Sequence, residues 1–370
     1  MAVTVVLAAG GTAGHVNPML ATARAIQTVA PDAHIVMVGT AEGMEGDLVR
    51  AAGFEMRTIP RVPMPRSLRV DSLKFPFALR DAVSQAGKIL ESVGASVVIG
   101  FGGYVSTPVY LAAWRRKIPV VAHEGNARPG LANKLGARFA KVVALTFSNT
   151  ALKASRGLTV TTGLPMREPI TALAESKESR LKLRQREAER FGLDPCRPVI
   201  LVTGGSQGAQ HINEVMAALA PELLRRGIQV LHLTGRGKAQ PVLEEVEFLE
   251  GTYVVLEYLE HMEQAYSVAD LVISRAGAGM VAEVSALGIP AVFVPFPIGN
   301  GEQALNAHDV VKAGGALLVR NQDFTEQWVR DHVFELFGGD RLARMAQRAR
   351  QVSPLYAARE LAELALGLVQ

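Results

Sequence analysis

The chain has 370 residues, 49% of them hydrophobic and 20% charged, with 39 Lys and Arg against 35 Asp and Glu and a formal net charge of +4. That length supports two domains with full cores, and the composition excludes a disordered chain. A single cysteine, Cys196, excludes an intrachain disulfide and points to a reducing compartment.

The apolar run from Val3 to Ala9 reads as a buried strand. It is short and has no charged n-region, so it is not a signal peptide, and no segment approaches the ~20 apolar residues of a spanning helix. The strand leads into Gly10-Gly11-Thr12-Ala13-Gly14-His15 and then a helical segment. A strand, a Gly-rich turn and a helix N-terminus leave backbone N–H groups facing one point, which suits an anion. The G-x-G-x-x-G spacing of a dinucleotide site is absent. The next strand, 33–38, is followed by Gly39-Thr40 and not by a ribose-binding acid, and no P-loop occurs. His15 sits in the first turn. It either hydrogen-bonds that turn or, kept neutral by the helix N-terminus, serves as a general base.

Between 57 and 80, Arg57, Arg61, Arg66, Arg69, Lys74 and Arg80 alternate with Met64, Leu68, Phe75, Phe77 and Leu79. The segment is either solvated loop and core helix or a peripheral patch for anionic lipid. Single-stranded nucleic acid fits poorly, because aromatic residues are few. Strands 96–100, 120–123 and 141–144 follow, separated by helical patterns, and this order implies a parallel sheet. Phe101-Gly102-Gly103-Tyr104-Val105-Ser106 and His123-Glu124-Gly125-Asn126 lie at strand carboxyl ends, where open α/β sheets build sites. Turn chemistry accounts for the glycines; Ser106, Glu124 and Asn126 suit sugar hydroxyls or phosphates.

After the turn Gly163-Leu164-Pro165-Met166-Arg167, residues 175–190 read as one charged, solvated helix near a domain junction. The alternation then repeats, with strands at 199–203, 229–233, 253–256, 271–274, 291–294 and 316–319. The first of these enters a second Gly-rich turn, Gly204-Gly205-Ser206-Gln207-Gly208-Ala209. Arg275-Ala276-Gly277-Ala278-Gly279 opens a helix carrying Glu283, whose carboxylate can accept both ribose hydroxyls, and a later loop carries Glu302, Gln303 and Asn306. Two such turns far apart imply two similar α/β halves facing each other across a cleft. The expected division is 1–165 and 166–353, with a break at Ser353-Pro354 that lets a helix at about 354–370 return to the first domain.

These motifs occur in the order found in the bacterial N-acetylglucosaminyltransferases that convert lipid I to lipid II in peptidoglycan synthesis. The chain resembles that family over essentially its whole length. The resemblance implies an α/β GT-B glycosyltransferase fold, two Rossmann-like domains with parallel sheets. It implies that UDP-GlcNAc is bound by Ser206 at the pyrophosphate, the Leu259 backbone at uracil, Glu283 at the ribose and Gln303 at the sugar hydroxyls. Arg167, Ala278, Gly279 and Met280 join that donor site, and Thr12, Ala13, Gly14 and Asn126 touch its sugar side. The acceptor, undecaprenyl-pyrophosphoryl-MurNAc-pentapeptide, would meet Gly11, His15, Tyr104 and Ser106. His15 is the first candidate base and Glu124 the second. Ala13 stands where the family has glycine, Leu164 where it has asparagine, Gly125 where glutamine is common and Met280 where threonine is frequent.

The expected reaction is an inverting transfer that makes a β-1,4 linkage and releases UDP. No cofactor is expected and no metal site is assigned, since nothing resembles a D-x-D arrangement. The expected setting is peripheral, on the anionic cytoplasmic face of the plasma membrane, among cell-wall or division machinery and without nucleic acid. Three alternatives remain open: a UDP-GlcNAc 2-epimerase of the same fold, a transferase with another lipid acceptor such as diacylglycerol, and a non-catalytic nucleotide-sugar-binding module. An epimerase would not need the motifs at 102–106 and 123–126 or the basic–apolar patch.

Overall fold

The computed structural model describes residues 3–41, 43, 45–62, 75–176, 178, 180–205, 207–298 and 300–369. The chain forms two compact units, Met1–Glu168 with Pro354–Gln370, and Pro169–Ser353. The division falls just beyond the 165/166 boundary drawn from the sequence, so Arg167 belongs to the first unit.

In the first unit, strands β1 (Thr4–Ala8), β2 (His34–Gly39), β3 (Glu55–Thr58), β4 (Val97–Gly100), β5 (Val120–Glu124), β6 (Val142–Leu145) and β7 (Leu158–Thr161) form one sheet in the order β3-β2-β1-β4-β5-β6-β7. Every pairing is parallel, with Val5 opposite both Ile35 and Val97. Parallel strands need crossover helices, which cover both faces and force continuous apolar runs. Val5 and Leu7 accordingly pack with Val16, Met19 and Ile26 of the helix Ala13–Val29. Val6 and Ala8 face the other way, toward Val83, Leu90, Val109 and Tyr110. Leu361, Ala362, Ala365 and Leu366, from the helix Ala357–Leu366, complete the first of these cores. The strand order reverses between β1 and β4, and open α/β sheets bind ligands at such a switch point.

The second unit repeats the plan with β8 (Val199–Thr203), β9 (Gln229–Leu233), β10 (Tyr253–Leu256), β11 (Leu271–Ser274), β12 (Ala291–Phe293) and β13 (Ala316–Leu318). Their order is β10-β9-β8-β11-β12-β13, with all pairings parallel. Ile200, Val202, Leu271, Ile273 and Val292 pack there with Ile212, Met216 and Phe324.

The region 175–190 differs from the single helix expected. One helix ends as Glu168–Glu175 and another begins as Arg180–Phe191. The Glu178 N–H donates to Ser176 Oγ at 3.2 Å, a local turn bond that competes with helix propagation. Nor is the second helix merely solvated. Arg184 donates to both Asp270 oxygens at 3.0 and 2.8 Å and to the carbonyls of Pro195 and Arg197, tying the helix to its sheet. Among the described residues, no helix is long and apolar enough to cross a membrane.

Candidate active site

The turn after β1 shows why glycine is needed where chains cross. Gly103 has φ +74°, and a Cβ there would lie 2.1 Å from Gly10 O, so the two Gly-rich segments touch through their backbones. Thr12 is the N-cap of the helix Ala13–Val29, yet its side chain caps no backbone group and the first turn has no acidic residue. The Thr12 hydroxyl instead meets His15 Nδ1 at 3.2 Å. A Cβ on Gly102 would lie 3.4 Å from His15 Nε2, so that edge of the imidazole faces the second Gly-rich segment. Ala13 opens the helix and therefore meets ordinary helical backbone, where alanine costs nothing.

Ser106 is wholly buried. Its hydroxyl accepts from Gly102 N–H at 3.1 Å and lies 2.7 Å from Gly102 O and 3.0 Å from Ala8 O, with one proton to give to either carbonyl. It was expected to touch the acceptor, but here it ties the end of β1 to the Gly102 turn. Tyr104, beside it, is half-buried, and its hydroxyl lies 3.2 Å from Thr40 Oγ1.

Glu124 ends β5 and is 3% exposed. One carboxylate oxygen accepts from Asn126 N–H at 3.0 Å; the other accepts from Gly130 N–H at 2.9 Å and Asn133 Nδ2 at 3.0 Å. A carboxylate that accepts these three donors organises the loop 125–130. Asn133 was not singled out from the sequence. It also donates to His123 O at 2.9 Å and accepts from the buried Tyr110 hydroxyl at 2.8 Å. Burial and the nearby Glu124 charge push the Tyr110 phenol up. Burial pushes His123 down to about 4, while its Nε2 lies 3.2 Å from Gly163 O. The signal for Asn133 was a lone amide in an otherwise helical run, which carries no meaning until Tyr110 and Glu124 are placed beside it.

In the second unit, Gly208 has φ +68° and a Cβ there would lie 1.9 Å from Thr234 O, so the turn after β8 rests on the backbone after β9. Beneath it His232 is fully buried, with Nε2 3.0 Å from Asn213 Oδ1 and Nδ1 2.8 Å from the Tyr253 hydroxyl; Asn213 Nδ2 donates to Thr234 O at 3.0 Å. Desolvation lowers His232 to about 3, so it stays neutral. The helix Gln210–Ala218 starts at Ala209 with no side-chain cap. Ser206 lies outside the described residues.

The helix Ala278–Leu287 also begins without a side-chain cap, at Gly277, and carries Gly279, Met280 and Glu283. The Tyr266 hydroxyl donates to Glu283 Oε2 at 2.8 Å and lies 3.5 Å from Met280 Sδ. Tyr266 thus orients the proposed ribose carboxylate, a role its sequence context did not signal. Gln303 Oε1 accepts from Phe296 N–H at 2.9 Å, and the buried Asn306 donates to Ala276 O at 3.2 Å, joining this loop to the turn after β11. Leu259 is half-buried, in the loop after β10. Among the described residues, no three His, Cys, Asp or Glu side chains gather as a metal site.

Parallel sheets in two units, each with a Gly-rich turn running from one of its strands into a helix, make the α/β architecture of the GT-B fold. Residues 5–145 match the glycosyltransferase family 28 N-terminal domain, and 199–361 match the family 28 C-terminal domain. The chain is 46% identical, over 99% of its length and 98% of the relative's, to the UDP-N-acetylglucosamine--N-acetylmuramyl-(pentapeptide) pyrophosphoryl-undecaprenol N-acetylglucosamine transferase of Bifidobacterium longum. It is similar to the crystal structure of Acinetobacter baumannii MurG, with TM-score 0.80, 31% identity and 99% of both chains covered. The chain belongs to glycosyltransferase family 28, among these N-acetylglucosamine transferases. The UDP-GlcNAc 2-epimerase from Neisseria meningitidis bound to UDP-GlcNAc, at TM-score 0.68, 15% identity and 100% and 99% coverage of this chain and that one, shares the fold alone.

Proposed function

We propose that the chain transfers GlcNAc from UDP-GlcNAc to the 4-hydroxyl of MurNAc on undecaprenyl-pyrophosphoryl-MurNAc-pentapeptide, with inversion. The observation that carries this reading is the end-to-end match to such a transferase, which leaves neither half of the chain unaccounted for. The acceptor oxygen bonds to the anomeric carbon as the bond from that carbon to the UDP oxygen breaks, and UDP leaves with the electron pair. His15 takes the hydroxyl proton. In the tautomer whose Nδ1–H donates to the Thr12 hydroxyl, Nε2 carries the lone pair a base requires. Glu124 acts by holding Asn126 and the loop 125–130 in place.

The charge growing on UDP meets the Gly-rich turn after β8 and the uncapped starts of the helices Gln210–Ala218 and Ala278–Leu287. Glu283, oriented by Tyr266, takes the ribose, Leu259 the uracil and Gln303 the sugar hydroxyls. Ala278, Gly279 and Met280 complete the donor side within the second unit.

The acceptor is a lipid, so the protein works peripherally at the cytoplasmic face of the plasma membrane. The helix Phe75–Ser92 buries Ala82, Val83, Ala86 and Leu90 and leaves Phe77 74% exposed, which suits a shallow apolar contact. Met64, Arg66, Leu68, Arg69 and Lys74 lie outside the described residues. Charge reversal at Arg66, Arg69 and Lys74 should release the protein from anionic liposomes. The decisive experiment is UDP release from UDP-GlcNAc with and without an acceptor analogue, with the product weighed by mass spectrometry. Acceptor-dependent release with one GlcNAc added supports the reading; a ManNAc product formed without acceptor overturns it.

A further inference from the structure

The first-unit site has a second rim, built from residues after β2 and β3. The Thr40 N–H and hydroxyl both donate to Glu45 Oε1, at 3.0 and 2.8 Å. Glu45 is fully buried, and its Oε2 has no hydrogen-bond partner among the described residues. A hydroxyl has one proton to give. With that of Thr40 committed to the carboxylate, the 3.2 Å contact between Thr40 Oγ1 and the Tyr104 hydroxyl runs with Tyr104 as donor. The phenol is held at its oxygen by Thr40, and its Cε1 lies 3.4 Å from where a Cβ on Gly11 would be.

Against the face of that ring sits the Arg61 guanidinium, its central carbon 5.4 Å from the ring centroid. Arg57, on the same edge of the unit, is neutralised by Glu55 at 2.8 Å. Arg61 is exposed and has no carboxylate partner among the described residues. Stacking on an aromatic face orients a guanidinium without cancelling its charge, and its planar fork of donors matches phosphate oxygens. The ring that holds it lies beside the Gly-rich turn that leads into the uncapped helix Ala13–Val29. A headgroup-binding arginine needs only exposure. One fixed through a chain of bonds that ends in a buried carboxylate is organised for a ligand at a defined place.

We propose that Arg61 binds the diphosphate of the lipid-linked acceptor and that Tyr104, Thr40 and Glu45 are positioning residues that hold it there. This rests on the acceptor reading above. The test compares wild type, Arg61→Gln, Arg61→Lys and Thr40→Val with UDP-GlcNAc and a water-soluble, short-chain diphosphate analogue of the acceptor, without membrane. Arg61→Gln should lower kcat/KM for the acceptor by about tenfold to a hundredfold and leave KM for UDP-GlcNAc within about twofold. Arg61→Lys should recover part of the loss, since charge returns without the fork. Thr40→Val should cause a smaller loss in the same parameter and add little to Arg61→Gln, the non-additivity expected of groups acting as one.

Titration of each UDP-saturated protein with inorganic pyrophosphate by calorimetry needs no turnover, and Arg61→Gln should weaken that binding by a similar factor. If wild type does not turn over the analogue, the acceptor reading fails while the pyrophosphate titration still decides the role of Arg61. Unchanged pyrophosphate binding in Arg61→Gln overturns the proposal. So does a defect confined to acceptor presented in anionic vesicles, which would assign Arg61 to lipid headgroups.

Discussion

At the scale of single residues, the two candidate bases separate by what their side chains already hold. His15 is oriented through Nδ1 by Thr12 and turns its other edge to Gly102. His15→Ala should lower kcat by about 10²- to 10⁴-fold, the range for loss of a general base, and leave the UDP-GlcNAc KM near wild type in steady-state assays. Glu124 accepts two backbone N–H groups and one side-chain amide. Glu124→Gln places an NH₂ against a donor, so urea unfolding should show a loss of about 1–3 kcal/mol. A Glu124→Gln protein of unchanged stability but without activity would return the catalytic role to this carboxylate. Such distinctions were invisible in the sequence: His123-Glu124-Gly125-Asn126 shows the right atoms in the right order, and only Asn133 and Gly130 show that the carboxylate is occupied. Ser106 teaches the same lesson, since a serine beside glycines reads equally as ligand contact or as brace.

At the scale of elements, both edges of the second sheet, β10 and β13, were legible, whereas in the first sheet the central strands were legible and the edges were not. β1, β4, β5 and β8 are buried along their whole length, and each carries a run of at least three apolar residues, with polar residues only at strand ends. β3 reads Glu-Met-Arg-Thr and β7 reads Leu-Thr-Val-Thr; both close the sheet at its edges, where a strand covers less core and carries polar side chains. The turn after β8 is legible for a different reason, because backbone contact at Gly208 admits no side chain. Gly208→Ala should raise the UDP-GlcNAc KM at least tenfold and lower the unfolding midpoint, both measurable on purified protein.

The histidines on β5 and β9 set an acid limit. His123 is held at about 4 and His232 at about 3 by burial, against about 6.5 in an unfolded chain. Below pH 6.5 the unfolded chain therefore takes up protons that the native sites refuse. Their contribution is intact above pH 6.5 and is lost as pH falls toward 4, by about 1.4 kcal/mol per pH unit for each histidine. Urea midpoints should fall between pH 7 and 5, and His123→Gln should flatten that dependence. A midpoint insensitive to pH would refute this account.

At the scale of the whole molecule, two units of the same plan share one chain, and the repeated Gly-rich turns made that plan readable from the sequence. The first unit's core is finished by the helix Ala357–Leu366, whose Leu361 is fully buried. Leu361→Ala should destabilise that unit by about 2–5 kcal/mol and leave the second unit unaffected, seen in calorimetry as the shift of one of two transitions. Removal of residues 354–370 should expose the first unit alone to limited proteolysis.

That helix also sets an order of events during synthesis. The strands of the first unit leave the ribosome before any of the second, yet their core lacks one wall until residues 354–370 follow. The second unit, contiguous from Pro169 to Ser353, is complete earlier. The part of the protein translated first is therefore the last to close, and for the time taken to add some 185 residues, at roughly 5–20 per second, its open wall is a surface that chaperones can hold.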